Sequence, residues 1–160
     1  MTFPQRKSPR LKDYDYSQSG AYFVTICTYK RAYIFGGIHN QEMQLNQLGE
    51  LVYESWLDLL NHFSTIELDA FIVMPNHVHG IVSMTQDGSP LGVIVGTFKA
   101  AVTRNSRLFF PDKIWQSRYH DHIIRNEHEL THIRRYVLHN PEMWEEDTFY
   151  SGVPRDQGHH

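Results

Sequence analysis

The stretch IELDAFIVMPNHVHGIVSM, residues 66–84, carries the strongest fold signal in the chain. Its first part, IELDAFIVMP (66–75), is rich in apolar and β-branched residues and reads as a strand. Pro75-Asn76 can turn the chain, and HVHGIVSM (77–84) continues as a second strand, the two lying side by side in the middle of a sheet. Strand alternation puts His77 and His79 on one face, roughly 6 to 7 Å apart along the backbone, and turns Val78 toward an apolar core. Two imidazoles in a strand this apolar need hydrogen-bond partners or a shared ligand. The pattern alone leaves two readings open, a divalent-metal pair or two hydrogen-bonded core histidines. His120-Asp121-His122 repeats the spacing, but its polar middle residue fits a buried strand less well.

Working outward, AYFVTICTYK (21–30) reads as another strand and Gly36-Gly37 as a turn. From Asn46 to Phe63, the residues Leu48, Leu51, Val52, Trp56, Leu59 and Leu60 recur at helical spacing. After the break at 88–90 a second helix is expected from Leu91 to Leu108, bearing Lys99, Arg104 and Arg107, then a short strand from Tyr119 to Ile124. Asn126 is a candidate N-cap with Glu129 at the capping-box position, and the helix it opens runs to about His139, before Pro141. Strand, helix, strand, strand, helix, strand is the split β-α-β order. The expected fold is therefore α+β: a ferredoxin-like or RRM-like four-stranded antiparallel sheet with two covering helices and an appended C-terminal helix. The chain is expected to form a single domain over residues 1–160, with a basic arm at 1–18 and a tail at 145–160.

The content of 41% hydrophobic and 21% charged residues is that of a soluble globular protein. Cys27 is the sole cysteine, which excludes an intramolecular disulfide and suits a cytoplasmic setting. No apolar run reaches the roughly 18 residues of a membrane span, and the basic start has no apolar stretch after it to make a secretory signal. The net charge of -3 argues against a nucleic-acid partner until its distribution is considered. Arg6, Lys7, Arg10 and Lys12 give residues 1–12 a charge of +4, and residues 97–140 hold eight bases against four acids. Residues 41–70 hold six acids and no Lys or Arg. Affinity for a phosphate backbone follows the local patch, not the total.

In the last helix, Tyr136 and Asn140 are spaced i and i+4, one turn apart. Neither signals a site alone, since a helical tyrosine is usually packing and an Asn before Pro usually ends a helix. Together with the other blocks they carry a resemblance. PNHVHGIV resembles the HUH motif (His, bulky apolar, His) of the single-tyrosine transposases of compact bacterial insertion sequences. LKDYDYSQSGAYFVTICT, SPLGVIVGTFKAAVTR, WQSRYHDHIIRN and IRRYVLHNPEMW are similar, in the same order, to blocks of the REP-associated tyrosine transposase branch.

The resemblance implies an RRM-like nuclease and strand transferase that cuts hairpin-forming single-stranded DNA through a 5′-phosphotyrosine. Carried over residue by residue, it implies Tyr136 as nucleophile, His77 and His79 as ligands of Mg²⁺ or Mn²⁺, and Asn140 as third ligand in place of a commoner Gln. His122 and His139 are candidate proton acceptors, and His122 is equally readable as structural or as a support behind the ligands. The arm residues Arg6, Lys7, Arg10 and Lys12 and the helix residues Lys99, Arg104 and Arg107 are the expected DNA contacts. The chain would act as a monomer or homodimer, with no membrane partner. The competing readings are a domesticated relative that binds DNA hairpins without cutting and an unrelated metal hydrolase.

Overall fold

The computed structural model describes residues 20–85 and 88–146; the basic arm, with Arg6, Lys7, Arg10 and Lys12, and most of the tail lie outside the described residues. In chain order, strand β1 (Gly20–Cys27) leads through a 3-10 turn (Tyr29–Arg31) to a small hairpin of β2 (Gly36–His39) and β3 (Glu42–Leu45). Helices α1 (Gln47–Leu57) and α2 (Leu59–His62) follow, then β4 (Ile66–Met74), β5 (His77–Met84), α3 (Leu91–Asn105) and β6 (His120–Ile124). Helix α4 (Glu127–Leu138) and a 3-10 segment (Asn140–Glu146) complete the described chain. The main sheet is antiparallel with order β4-β5-β1-β6, the ferredoxin-like arrangement expected from the sequence.

Each strand presents two apolar faces, which is why both sides of the sheet are covered. Tyr22, Val24 and Ile26 of β1 and Val78 and Val82 of β5 pack against Val52 and Trp56 of α1 and Ile94, Phe98 and Val102 of α3. On the other face, Phe23 and Ile81 pack against Ile133 and Val137 of α4. Gly80 lets α1 approach the sheet. Trp56 stacks on Phe71 with ring centroids 4.6 Å apart, and a Cβ on Gly80 would stand 2.8 Å from the Trp56 ring.

Four expectations are corrected. The strand expected over 21–30 stops at Cys27, because Lys30 and Arg31 take left-handed backbone (φ 55 and 54) and turn the chain. Gly36-Gly37 is not a turn but the start of β2; the turn is Asn40-Gln41, both at positive φ, a primed hairpin turn without the usual glycine. The helix expected over 46–63 breaks at Asp58, whose carboxylate accepts from Asn61 Nδ2 at 2.7 Å and meets His62 at 3.1 Å. The second helix ends at Asn105 instead of Leu108, with Ser106 O accepting the amides of Phe109 and Phe110. In addition, β5 is central as expected, but β4 is an edge strand.

The edge strand carries a bulge. Register with β5 shifts between Leu68 and Phe71, and from this bulge Asp69 accepts from Arg134 Nε at 2.8 Å and Nη2 at 2.6 Å. The hydrogen bond from Arg134 holds the Asp69 carboxyl below its ordinary range. A depressed carboxyl contributes stability at neutral pH that is lost as pH falls through its lowered pKa. Both groups are partly exposed, so Asp69→Ala should cost about 1 kcal/mol or less. Hydrogen exchange should show faster amides in α4 with β1 and β5 unchanged. Gly80→Ala should cost more, about 1–3 kcal/mol by overpacking, read as a fall in thermal midpoint.

Candidate active site

Strand β5 is pinned from both sides. Thr25 and Cys27 of β1 lie in register with His79 and His77, as do Ile72 and Met74 of β4. Both imidazoles are fully buried. Asn76 Nδ2 donates to Arg31 O at 3.4 Å, which leaves its Oδ1 to accept from His77 Nδ1 at 2.8 Å. His79 Nδ1 is bonded to Thr25 Oγ1 at 2.9 Å. Each ring is thus held at Nδ1, and the two Nε2 atoms converge to 3.1 Å. Two ligands about 2.1 Å from one ion, at right angles, stand about 3.0 Å apart. Burial drives both histidines toward the neutral form, the ligand form; His79 is lowered to about 3 and His77 well below its ordinary value.

Asn140 completes this geometry differently from expectation. Helix α4 stops at Leu138, and Asn140 opens the 3-10 segment after it. Its side chain is nevertheless 2% exposed and lies within reach of the His77 ring, and its buried Oδ1 has no other partner. A buried amide oxygen beside two converging neutral imidazoles fits a divalent cation. Among the described residues no group of three His, Cys, Asp or Glu gathers, so the third protein donor here would be that amide.

Tyr136 stands over the same face, its ring 5.4 Å from that of His79 and edge-on to Phe23 at 6.1 Å. The N-terminus of its helix is fixed as the sequence suggests, Asn126 Oδ1 accepting from Glu129 N at 2.8 Å. Glu129 reaches back to Arg125 N at 2.8 Å and pairs with His122 Nε2 at 2.7 Å, so His122 ties α4 to β6. His139 is exposed and turned toward Glu142. Neither candidate proton acceptor is aimed at the tyrosine by these contacts. His120, set aside in the sequence, lies in register with Thr25 on the His79 face, and its positive form would oppose that of His79. Strand alternation was the signal, since Asp121 turns to the opposite, buried side. Trp144, which stacks near His77 at 6.3 Å, and the orienting Thr25 and Asn76 had no sequence signal.

A family model for transposases of the IS200-like kind matches residues 16–140. The chain belongs to the IS200-like transposase family. It is 37% identical to an uncharacterized protein of Haemophilus influenzae, covering 91% of this chain and 93% of that one. It is 25% identical to the REP-associated tyrosine transposase of Escherichia coli, covering 79% of this chain and 85% of the relative. Its fold is similar to that of a REP-associated tyrosine transposase solved bound to a REP hairpin, with TM-score 0.65, 19% identity, and 94% and 92% of the two chains covered.

In this IS200-like transposase the basic residues of α3 stand apart from the histidine face. Lys99 and Arg104 of α3, with Arg107 just beyond its end, line an open cleft of about 470 Å³ with Thr103 and Trp115, on the side of the sheet that α3 covers. Lys99 is half-buried and donates to Gln116 O at 2.7 Å; burial lowers its pKa. No helix among the described residues is long and apolar enough to cross a membrane.

Replacing either His77 or His79 by Ala should abolish Mn²⁺ binding in calorimetry while the circular dichroism spectrum persists. Because burial keeps both rings neutral, wild-type Mn²⁺ affinity should change little between pH 6 and 8. Unchanged affinity in both variants would remove the metal assignment.

Proposed function

We propose that the chain nicks and rejoins hairpin-bearing single-stranded DNA through a 5′-phosphotyrosine on Tyr136. The observation that carries this reading is the placement of the Tyr136 ring 5.4 Å from His79, whose Nε2 converges with that of His77 to 3.1 Å. His77, His79 and Asn140 would hold Mg²⁺ or Mn²⁺, which supplies Lewis acidity toward a phosphate oxygen and a template for in-line attack. Amide and imidazole donors alone would also suit a later transition metal; the family resemblance favours the harder ions.

The phenol oxygen of Tyr136 attacks phosphorus and the bond to the 3′ oxygen breaks. The phenol proton passes to solvent, and the departing oxygen takes a proton to become a free 3′-OH. One phosphoester is exchanged for another, so the step is reversible by a 3′-OH of the same or another strand without a nucleotide triphosphate. Helix α4 fixes the approach of the phenol through Ile133 and Val137 on the sheet and through the Arg134–Asp69 and Glu129–His122 pairs at its flanks.

Tyr136→Phe keeps the ring and its packing on Phe23 and removes only the nucleophile. It should leave hairpin binding within about twofold and abolish both the covalent adduct and the nick on a denaturing gel with Mn²⁺, a loss of several orders of magnitude in rate. Adduct formation by Tyr136→Phe would assign the chemistry to another tyrosine. Nicking by wild type without an adduct would make water the nucleophile. Binding without nicking in wild type would favour the hairpin-binding alternative.

A further inference from the structure

The turn after β1 gathers aromatic and cationic groups that neither the sequence reading nor the proposed chemistry uses. Tyr29 is 40% exposed, and two ammonium groups converge on its ring: Lys30 Nζ at 5.4 Å and Lys113 Nζ at 4.8 Å from the centroid. Like charges placed on one half-exposed ring repel, and a polyanion lying across them relieves the repulsion. The turn is rigid and conformationally costly. Lys30 and Arg31 both hold left-handed backbone, at about 1 kcal/mol or more each. Hydrogen bonds fix it: Tyr29 N to Ile114 O at 2.8 Å, Arg31 N to Thr28 O at 3.0 Å, and Thr28 Oγ1 to Ala32 O at 2.9 Å.

This turn touches both ends of the molecule's chemistry. The amide that orients His77 through its Oδ1 is the same Asn76 amide that donates to Arg31 O. On the other side Thr28 bridges Trp115, which lines the α3 cleft, and Gln116 O holds Lys99. Buried contacts therefore link the Tyr29 turn both to the strand that carries His77 and to the Trp115 side of the α3 cleft.

We propose that Tyr29, flanked by Lys30 and Lys113, is a stacking platform for an unpaired base of the strand that adjoins the cut, with the lysines meeting its phosphates. The inference deepens the proposed single-strand chemistry and rests on it. An exposed ring between cations, on a turn tied to the histidine strand and beside a basic cleft, suits a nucleic-acid strand, in which bases and phosphates alternate. An acidic peptide would use the lysines but leave the ring idle.

The test uses the full chain and two fluorescent probes: a DNA hairpin carrying a flank of about ten thymidines, and the same hairpin without it. Tyr29→Ala should weaken binding to the flanked hairpin about tenfold and leave the blunt hairpin within about twofold. Tyr29→Phe should restore the flanked affinity, because the ring is what stacks. Lys113→Gln should shallow the salt dependence of flanked binding by about 0.7 in log–log slope. Equal loss on both probes, or none on either, overturns the platform, as does a Tyr29→Phe that behaves like Tyr29→Ala. Displacement of the flanked probe by poly-glutamate at matched charge overturns it in favour of an acidic protein partner. Failure of the underlying chemistry has a separate readout: flank-selective loss in Tyr29→Ala with persistent nicking by Tyr136→Phe sustains the platform while removing the nucleophile.

Discussion

The register of β5 against β1 is the constraint on which the rest depends. Paired as Val24 with Gly80 and Thr25 with His79, β5 sends Val78, Gly80 and Val82 into the α1–α3 core and His77, His79 and Ile81 toward α4. A slip of one residue would reverse every side chain, burying the imidazoles in the apolar core around Trp56 and Phe98, away from Thr25 Oγ1 and Asn76 Oδ1. The apolar core therefore does more than stabilise the sheet, since it selects the register in which the two imidazoles face α4 instead of the α1–α3 core. Thr25 and Asn76 then fix the rings, each at its Nδ1. Buried polar groups of this kind are costly unless satisfied, and here one side of each ring is satisfied and the other is aimed at its neighbour.

The second half of the candidate site comes from a separate element that the sheet does not hold by backbone pairing. Helix α4 has a narrow apolar stripe, Ile133 and Val137 with Leu130 at its margin, and little else to bury. Its attachment is completed by polar contacts at each side: His122 with Glu129 near its start, and Asp69 with Arg134 near its middle. The Asp69 contact exists only because a bulge re-aims the edge strand toward α4. A helix docked by a small apolar stripe, the Arg134–Asp69 ion pair and the His122–Glu129 hydrogen bond is the more weakly held component, and it carries the tyrosine. Positional precision at Tyr136 thus depends in part on the Arg134–Asp69 contact, which salt and acid weaken, while the histidine pair is fully buried.

Legibility in the sequence divides along the same line. The limits of β5 were readable because apolar residues and a Pro-Asn turn bound it on both sides, and the split β-α-β order followed from element order alone. The β2–β3 hairpin was not, because its turn is Asn40-Gln41 and the adjacent Gly36-Gly37 drew the turn assignment to itself. Of the site, His77, His79 and Tyr136 were legible through spacing and family resemblance. Thr25, Asn76 and Trp144 were not: Thr25 meets His79 only through pairing of strands far apart in the chain, and Asn76 and Trp144 meet His77 only once the turn and the 3-10 segment are folded. Asn140 was read at the end of the helix, one turn after Tyr136; the helix ends at Leu138 and the 3-10 segment that Asn140 opens carries the amide toward His77.

The distribution of charge now gains a geometric meaning. Helices α1 and α3 lie on the same side of the sheet, and they differ in sign. Glu50, Glu54 and Asp58 are exposed along and just after α1, while Lys99, Arg104 and Arg107 line the cleft on α3. A polyanion approaching this layer is repelled from one helix and drawn to the other, over distances comparable with the Debye length of about 8–10 Å. The basic edge continues past Trp115 to Lys113, Tyr29 and Lys30 at the end of β1, where the histidine-bearing strand begins. Acidic residues that make the whole chain net negative therefore do not oppose binding. In the proposed reading they confine it to the side lined by Lys99, Arg104 and Arg107.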